Sequence, residues 1–392
     1  MMRVHPWMAL LGGWVVSIAV VGAAAGDIRG GASDDPSREA ITFREGTTSR
    51  EGIDRLPRSI LISGHSLTDR PFPELLHQAL TALGGDLTVT SQQFPGASIR
   101  ERLGRSGDGA ADGLRSRDRA RPDFAEVLAQ RNFDVLIITE RNGLLDALAW
   151  EDTVTSLHVA QQRFQSANPG ALIYFFVPWN GVSDIRAPQQ WIRYEQQAHV
   201  IWSCVVAAAN AQSGAEGHRS EIIVLPTALA LAHLTQSLTS SPQAPGFEGL
   251  DDGERMRMIF ADDVHLTPLG VSYVSFLTSA WLSGAAPRRP ASTQDDLQTR
   301  RQIHLQDIGR RFLHHHPWPQ ARQERCSLTR RLAFVARYVA YTGQSDRQAG
   351  PLAYGWRQFT RLLQFTWHVW RGFGRDAGRP AATAATTAGG RA

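Results

Sequence analysis

Five short apolar runs, separated by stretches of helical periodicity, constrain this chain more than anything else in its sequence. They are residues 58–64 (RSILISG), 87–94 (LTVTSQQF), 133–140 (FDVLIITE), 171–179 (ALIYFFVPW) and 221–226 (EIIVLP). The second alternates as a strand does, while 133–140 is a continuous β-branched run of the kind buried on both faces, a signal that the last two repeat. After the first run, PFPELLHQALTALGG carries Phe72, Leu75, Leu76 and Leu80 at helical spacing before a glycine stop. Residues 123–132, 153–168 and 189–212 read as further helices. Strands alternating with helices of ten residues or more predict βαβ units, hence an α/β domain over 57–284: a three-layer sandwich around a mostly parallel, about five-stranded, flavodoxin-like sheet. Ligands in such domains bind at the carboxyl ends of the strands.

The flanking segments differ in kind. Of 392 residues, 42% are apolar and 20% charged, which excludes a wholly disordered chain and a polytopic membrane protein. Residues 1–25 hold Arg3, His5 and an apolar stretch ending in Ala23-Ala24-Ala25, the pattern of an export signal or, uncut, of an N-terminal membrane anchor. Residues 26–56 read as a linker, and 101–122, rich in Gly, Arg and Asp, as a mobile insertion loop. Every basic residue of the 41 is arginine. Residues 285–392 hold 18 of them against 6 acids, so this helical extension with a disordered end is at +12 and the rest of the chain at −8. Within it, Leu352, Trp356, Phe359, Leu363, Trp367 and Trp370 form one face of an amphipathic helix. Two fates suit that face: an anionic membrane surface, or docking on the acidic domain. Nucleic acid is not an expected partner of an exported protein. Cys204 and Cys326 fit no zinc spacing; they read as two separate thiols, or as a pair in an oxidising compartment.

Chemistry-bearing residues sit just after the strands. Ser66 follows the first in Gly64-His65-Ser66-Leu67, on the turn leading toward a helix, where a serine alone is most simply an N-cap. Gly96 follows the second, and Asn142 follows the third in Glu140-Arg141-Asn142-Gly143. Asp262 stands three residues ahead of His265 in DDVHLTPLG, where a lone histidine would be a capping or core residue. A serine hydroxyl becomes a nucleophile when a base accepts its proton; His265 is the candidate base, and Asp262 can hold its imidazole in the right tautomer. Asp69 and Asp263 are competing acids. His314-His315-His316 lacks a carboxylate cluster, so no metal and no cofactor is expected.

Together, GHSL, Gly96, Asn142 and Asp262-x-x-His265 resemble the SGNH hydrolase superfamily, the GDSL-like esterases, over residues 57–284. The resemblance implies Ser66, His265 and Asp262 as the catalytic triad, with the N–H groups of Ser66 and Gly96 and the amide of Asn142 as the oxyanion hole. Two departures stand out: His65 replaces the aspartate of Gly-Asp-Ser, and Asn142 lacks the usual flanking glycine and aspartate. The implied function is an exported serine esterase of the periplasm or cell envelope, acting on a small-molecule or glycan acyl ester such as an O-acetyl group. A non-catalytic glycan- or lipid-binding protein on the same scaffold is the alternative. Trp179 and Asn180 after the fourth strand could line a sugar-sized cleft, although a strand-end tryptophan more often packs.

Overall fold

In the computed structural model, residues 56–104, 122–215, 220–287, 296–316, 326, 328–343 and 350–372 are described. All of them belong to one compact unit. The five runs form β1 (Ser59–Gly64), β2 (Thr88–Gln93), β3 (Val135–Thr139), β4 (Leu172–Phe176) and β5 (Ile222–Leu225). They pair in the order β2-β1-β3-β4-β5, every pairing parallel. This is the flavodoxin-like order, whose switch point lies between β1 and β3. The burial of each strand follows its place: β1 and β3 are buried along their whole length, whereas β2, at the edge, is mostly open.

Parallel neighbours require crossovers, and helices supply them. These are α1 (Phe72–Thr81), the short α2 (Ile99–Arg102), α3 (Phe124–Gln130), α4 (Leu144–Ala149), α5 (Thr153–Ala167), α6 (Gln189–Ala215), α7 (Thr227–Thr239), α8 (Asp252–Ile259) and α9 (Pro268–Ser283). Reciprocal capping boxes start α2, α3 and α8: Ser98 with Glu101, Asp123 with Glu126, and Asp251 with Glu254. No helix among the described residues is long and apolar enough to cross a membrane.

The basic extension contributes α10 (Leu297–His315), α11 (Leu328–Thr342) and α12 (Pro351–Gly372). Gly309 of α10 lies where a Cβ would stand 2.9 Å from the Phe276 ring of α9, so the two helices meet closely. On α11, Phe334, Tyr338 and Tyr341 surround Tyr194 of α6, and Tyr341 stacks on it at 4.5 Å. A Cys204–Cys326 disulfide ties α6 to the chain just before α11, so the reading of two separate thiols gives way to the pair. Residues 101–104 also depart from the expected mobile loop. Arg102 is buried in full, because Ser98 caps a helical turn that swings its guanidinium under the sheet edge; residues 105–121 lie outside the described residues.

Candidate active site

The Ser66, Gly96 and Asn142 segments follow the carboxyl ends of β1, β2 and β3, and the Asp262–His265 loop is bonded to the chain that leaves β4. The first is a tight turn. Thr68 N–H donates to His65 O at 2.9 Å, and a Cβ at Gly64 would stand 1.8 Å from Thr68 Oγ1, so only glycine lets the turn fold back on the strand. Ser66 is not a helix N-cap: α1 begins at Phe72, with Pro71 as its cap residue. Neither the Ser66 hydroxyl nor its N–H hydrogen-bonds among the described residues, and Ser66 is part-exposed. Gly96, at φ +70°, carries an N–H that also donates to no described group, and nothing within 4 Å would meet a Cβ there. Asn142 is part-exposed, with no hydrogen bond from its side chain among the described residues.

Asp262 and His265 form a closed unit. Asp262 Oδ1 accepts from the N–H groups of Val264 at 2.8 Å and His265 at 2.6 Å, while Oδ2 lies 2.7 Å from His265 Nδ1. Slight burial raises the Asp262 pKa, but the backbone and ring hydrogen bonds from His265, with that from Val264, outweigh it and hold the carboxyl at about 2. A carboxylate only accepts, so Nδ1 must be the protonated nitrogen, and the lone pair of the neutral ring is on Nε2. The competing acids do other things: Asp69 Oδ1 accepts from Arg70 N–H, and Asp263 gives its backbone carbonyl to Val182 N–H at 2.7 Å. No hydrogen bond joins Ser66 to His265.

Trp179 does not line a cleft. It is buried, and its Nε1–H donates to Val264 O at 2.7 Å, pinning the Asp262–His265 loop to the end of β4. The loop has a second support that runs into the extension. Val182 N–H holds Asp263, and the adjoining Gly181 O and Ser183 N–H both bind the Tyr341 hydroxyl of α11, at 2.5 and 3.2 Å respectively. Asn180 is tied down as well, its N–H donating to buried Glu195 Oε1 at 2.6 Å. Burial pushes the Glu195 carboxyl up to about 8.

Beneath these turns lies a buried polar network centred on Arg102 and Glu140. Arg102 donates to Ser63 Oγ, Ala97 O and Thr139 O, and Ser63 in turn donates to Gln92 Oε1 at 2.7 Å. Glu140 Oε1 accepts from Ile99 N–H at 3.2 Å and Arg141 N–H at 2.8 Å, which couples the Gly96 turn to the Asn142 turn. Burial raises the Glu140 carboxyl to about 7 against the pull of Arg102. His65 Nε2 lies 2.8 Å from Glu140 O and Nδ1 faces the Leu67 N–H, so Nε2 carries the proton and the ring is neutral. Burial, then Arg102, pushes its pKa down to about 4. His65 thus braces the Ser66 turn against β3. Sequence reading missed Arg102, Glu140, Trp179's role and Tyr341; the one available signal was an acid in the third motif where a small residue was expected. His314 and His315 end α10, His316 stacks on Phe312 at 4.5 Å, and no metal-holding cluster occurs among the described residues.

No protein-family model matches the chain, and no curated protein matches it. Three solved structures are similar, two of them of stated identity. One is a DUF4886 family protein from Bacteroides uniformis, with TM-score 0.41 and 12% identity, covering 64% of this chain and 93% of that one. The other is an acetyl xylan esterase from the rumen bacterium Butyrivibrio proteoclasticus, with TM-score 0.26 and 12% identity, covering 43% of this chain and 55% of that one. Likeness at this level assigns neither activity nor substrate.

Proposed function

We propose that the chain is an exported serine esterase in which Ser66 is the nucleophile, His265 the general base and Asp262 the residue that orients it. One observation carries the reading: an ionised carboxylate fixes His265 with Nδ1 protonated and Nε2 available, at the strand edge where Ser66 and two undonated N–H groups also lie. Ser66 Oγ attacks the acyl carbonyl as its proton passes to His265 Nε2. The oxyanion is met by the N–H groups of Ser66 and Gly96 and by the Asn142 amide. His265 then protonates the departing alcohol, and a water activated by the same base releases the acid. Nucleophile–base hydrogen bonds are often long or unmade before substrate binds, which accommodates the missing Ser66–His265 bond.

Roughly half of the His265 and Asp262 side chains is exposed, 44% and 51%. A base at so open an edge suits a bulky alcohol, such as a glycan bearing a short O-acetyl group. The disulfide suits an oxidising compartment and hence export to the periplasm or cell envelope. The missing Ser66–His265 bond equally favours the second reading, a non-catalytic glycan- or lipid-binding protein. Hydrolysis of p-nitrophenyl acetate by the full chain, set against Ser66→Ala, separates the two. The esterase reading expects turnover that the substitution abolishes; no turnover above the Ser66→Ala background supports the binding protein.

A further inference from the structure

The apolar face of α12 points away from the protein. Leu352, Trp356, Phe359, Leu363 and Trp367 are between 49% and 89% exposed. Tyr354, Gln358, Arg361 and Phe365, about half a turn around, form the face turned inward, with Phe365 fully buried against Phe334 and Tyr338 of α11. The helix is therefore already docked, and by its other side. Docking on the acidic domain through the Trp/Leu stripe, one of the two fates open to it from sequence, is not what the structure contains.

We propose that this face lies on an anionic lipid surface. The exposed residues run along one line of about 22 Å at 1.5 Å per residue, a straight apolar ridge suited to a plane more than to a pocket. Trp356 and Phe359 stand together, 6.1 Å between ring centroids, and tryptophan favours the level of the headgroups. The helix contains no Asp or Glu and carries Arg357 and Arg371 besides the inward-facing Arg361; residues 373–392 add Arg375, Arg379 and Arg391 against Asp376 alone. Each arginine near an anionic surface strengthens partitioning by about fivefold. The same net positive charge opposes a second copy, which would bring an equal positive charge alongside. The inference does not depend on chemistry at Ser66.

The full chain is mixed with vesicles of phosphatidylglycerol and phosphatidylcholine, and with phosphatidylcholine alone, beside Trp356→Ser/Phe359→Ser. Binding should favour the anionic vesicles, weaken with salt, and fall by at least about tenfold in the variant, whose melting temperature should hold because both side chains are exposed. A second measurement reads α12 apart from the apolar N-terminal residues: quenching of tryptophan fluorescence by lipids brominated near the headgroups. The difference between the full chain and Trp356→Phe/Trp367→Phe reports those two rings. No difference overturns the proposal. So does a concentration-dependent dimer that the serine variant dissolves, which would assign the face to a second copy, or a fall in its melting temperature, which would assign it to another part of this chain.

Discussion

Replacing Glu140 by glutamine should remove a pH dependence from the stability of this fold. The Glu140 carboxyl is buried, and burial raises it from an ordinary 4.5 to about 7 despite Arg102. With the folded value above the unfolded one, the unfolded chain loses its proton first. The contribution is fully present below about pH 4.5 and is lost as pH rises through 7. At 1.36 kcal/mol per unit, the loss is on the order of 3 kcal/mol. Glutamine reproduces the protonated state's bonds. Its oxygen can accept from Ile99 and Arg141 N–H, and its amide can donate to Thr153 Oγ1, whose single proton is directed to Ala147 O at 2.7 Å. Urea denaturation of wild type and Glu140→Gln across pH 4 to 8 should therefore give near-equal stabilities at the acid end. The variant should gain about 3 kcal/mol on the wild type by pH 8. Parallel curves, separated by the same amount at every pH, would refute the claim that Glu140 keeps its proton in the fold.

Three further outcomes follow from the same geometry. Tyr341→Phe removes the hydroxyl that bridges Gly181 and Ser183; kcat should fall about tenfold with KM nearly unchanged, whereas an equal rise in KM would show that the residue shapes substrate binding instead. Cys204→Ser/Cys326→Ser opens a link between residues 122 positions apart and should cost roughly 3 to 5 kcal/mol in urea denaturation; an unchanged midpoint would mean that α11 holds without it. Asn142→Ala should lower kcat by less than the 10² to 10³ or so of a principal oxyanion donor, and a greater loss with unchanged folding would make Asn142 the main donor.

The sheet was legible because a parallel strand buried on both faces must be apolar throughout, and FDVLIITE and ALIYFFVPW have no other economical reading. The edge strand was legible for the opposite reason, since TVTSQQ alternates. Asp262 and His265 were readable as a pair from their spacing, and the structure joins them in one turn. What sequence could not reveal is how distant segments meet. Arg102 sits in a stretch of Gly, Arg and Asp that resembles solvated loop, and only its fold-back beneath Thr139 and Ala97 buries it. Tyr341 lies nearly eighty residues beyond His265, on a helix whose sequence marks it as amphipathic and nothing more. The pairing of Cys204 with Cys326 likewise depends on α11 crossing α6. Ser66 misled in the other direction: a serine between a strand and a helix looks like a cap, but the chain turns once more before the helix begins.

Covalent labelling tests most directly whether Ser66 is a nucleophile activated by His265. A fluorophosphonate loses fluoride as a serine oxygen bonds to phosphorus, so the full chain should gain one phosphonyl mass, located by peptide mapping to Ser66. The gain should be absent in Ser66→Ala and slowed by roughly 10³ or more in His265→Ala, because the hydroxyl is a weak nucleophile without its base. Labelling at another serine, or labelling of Ser66 at an unchanged rate without His265, would contradict the account.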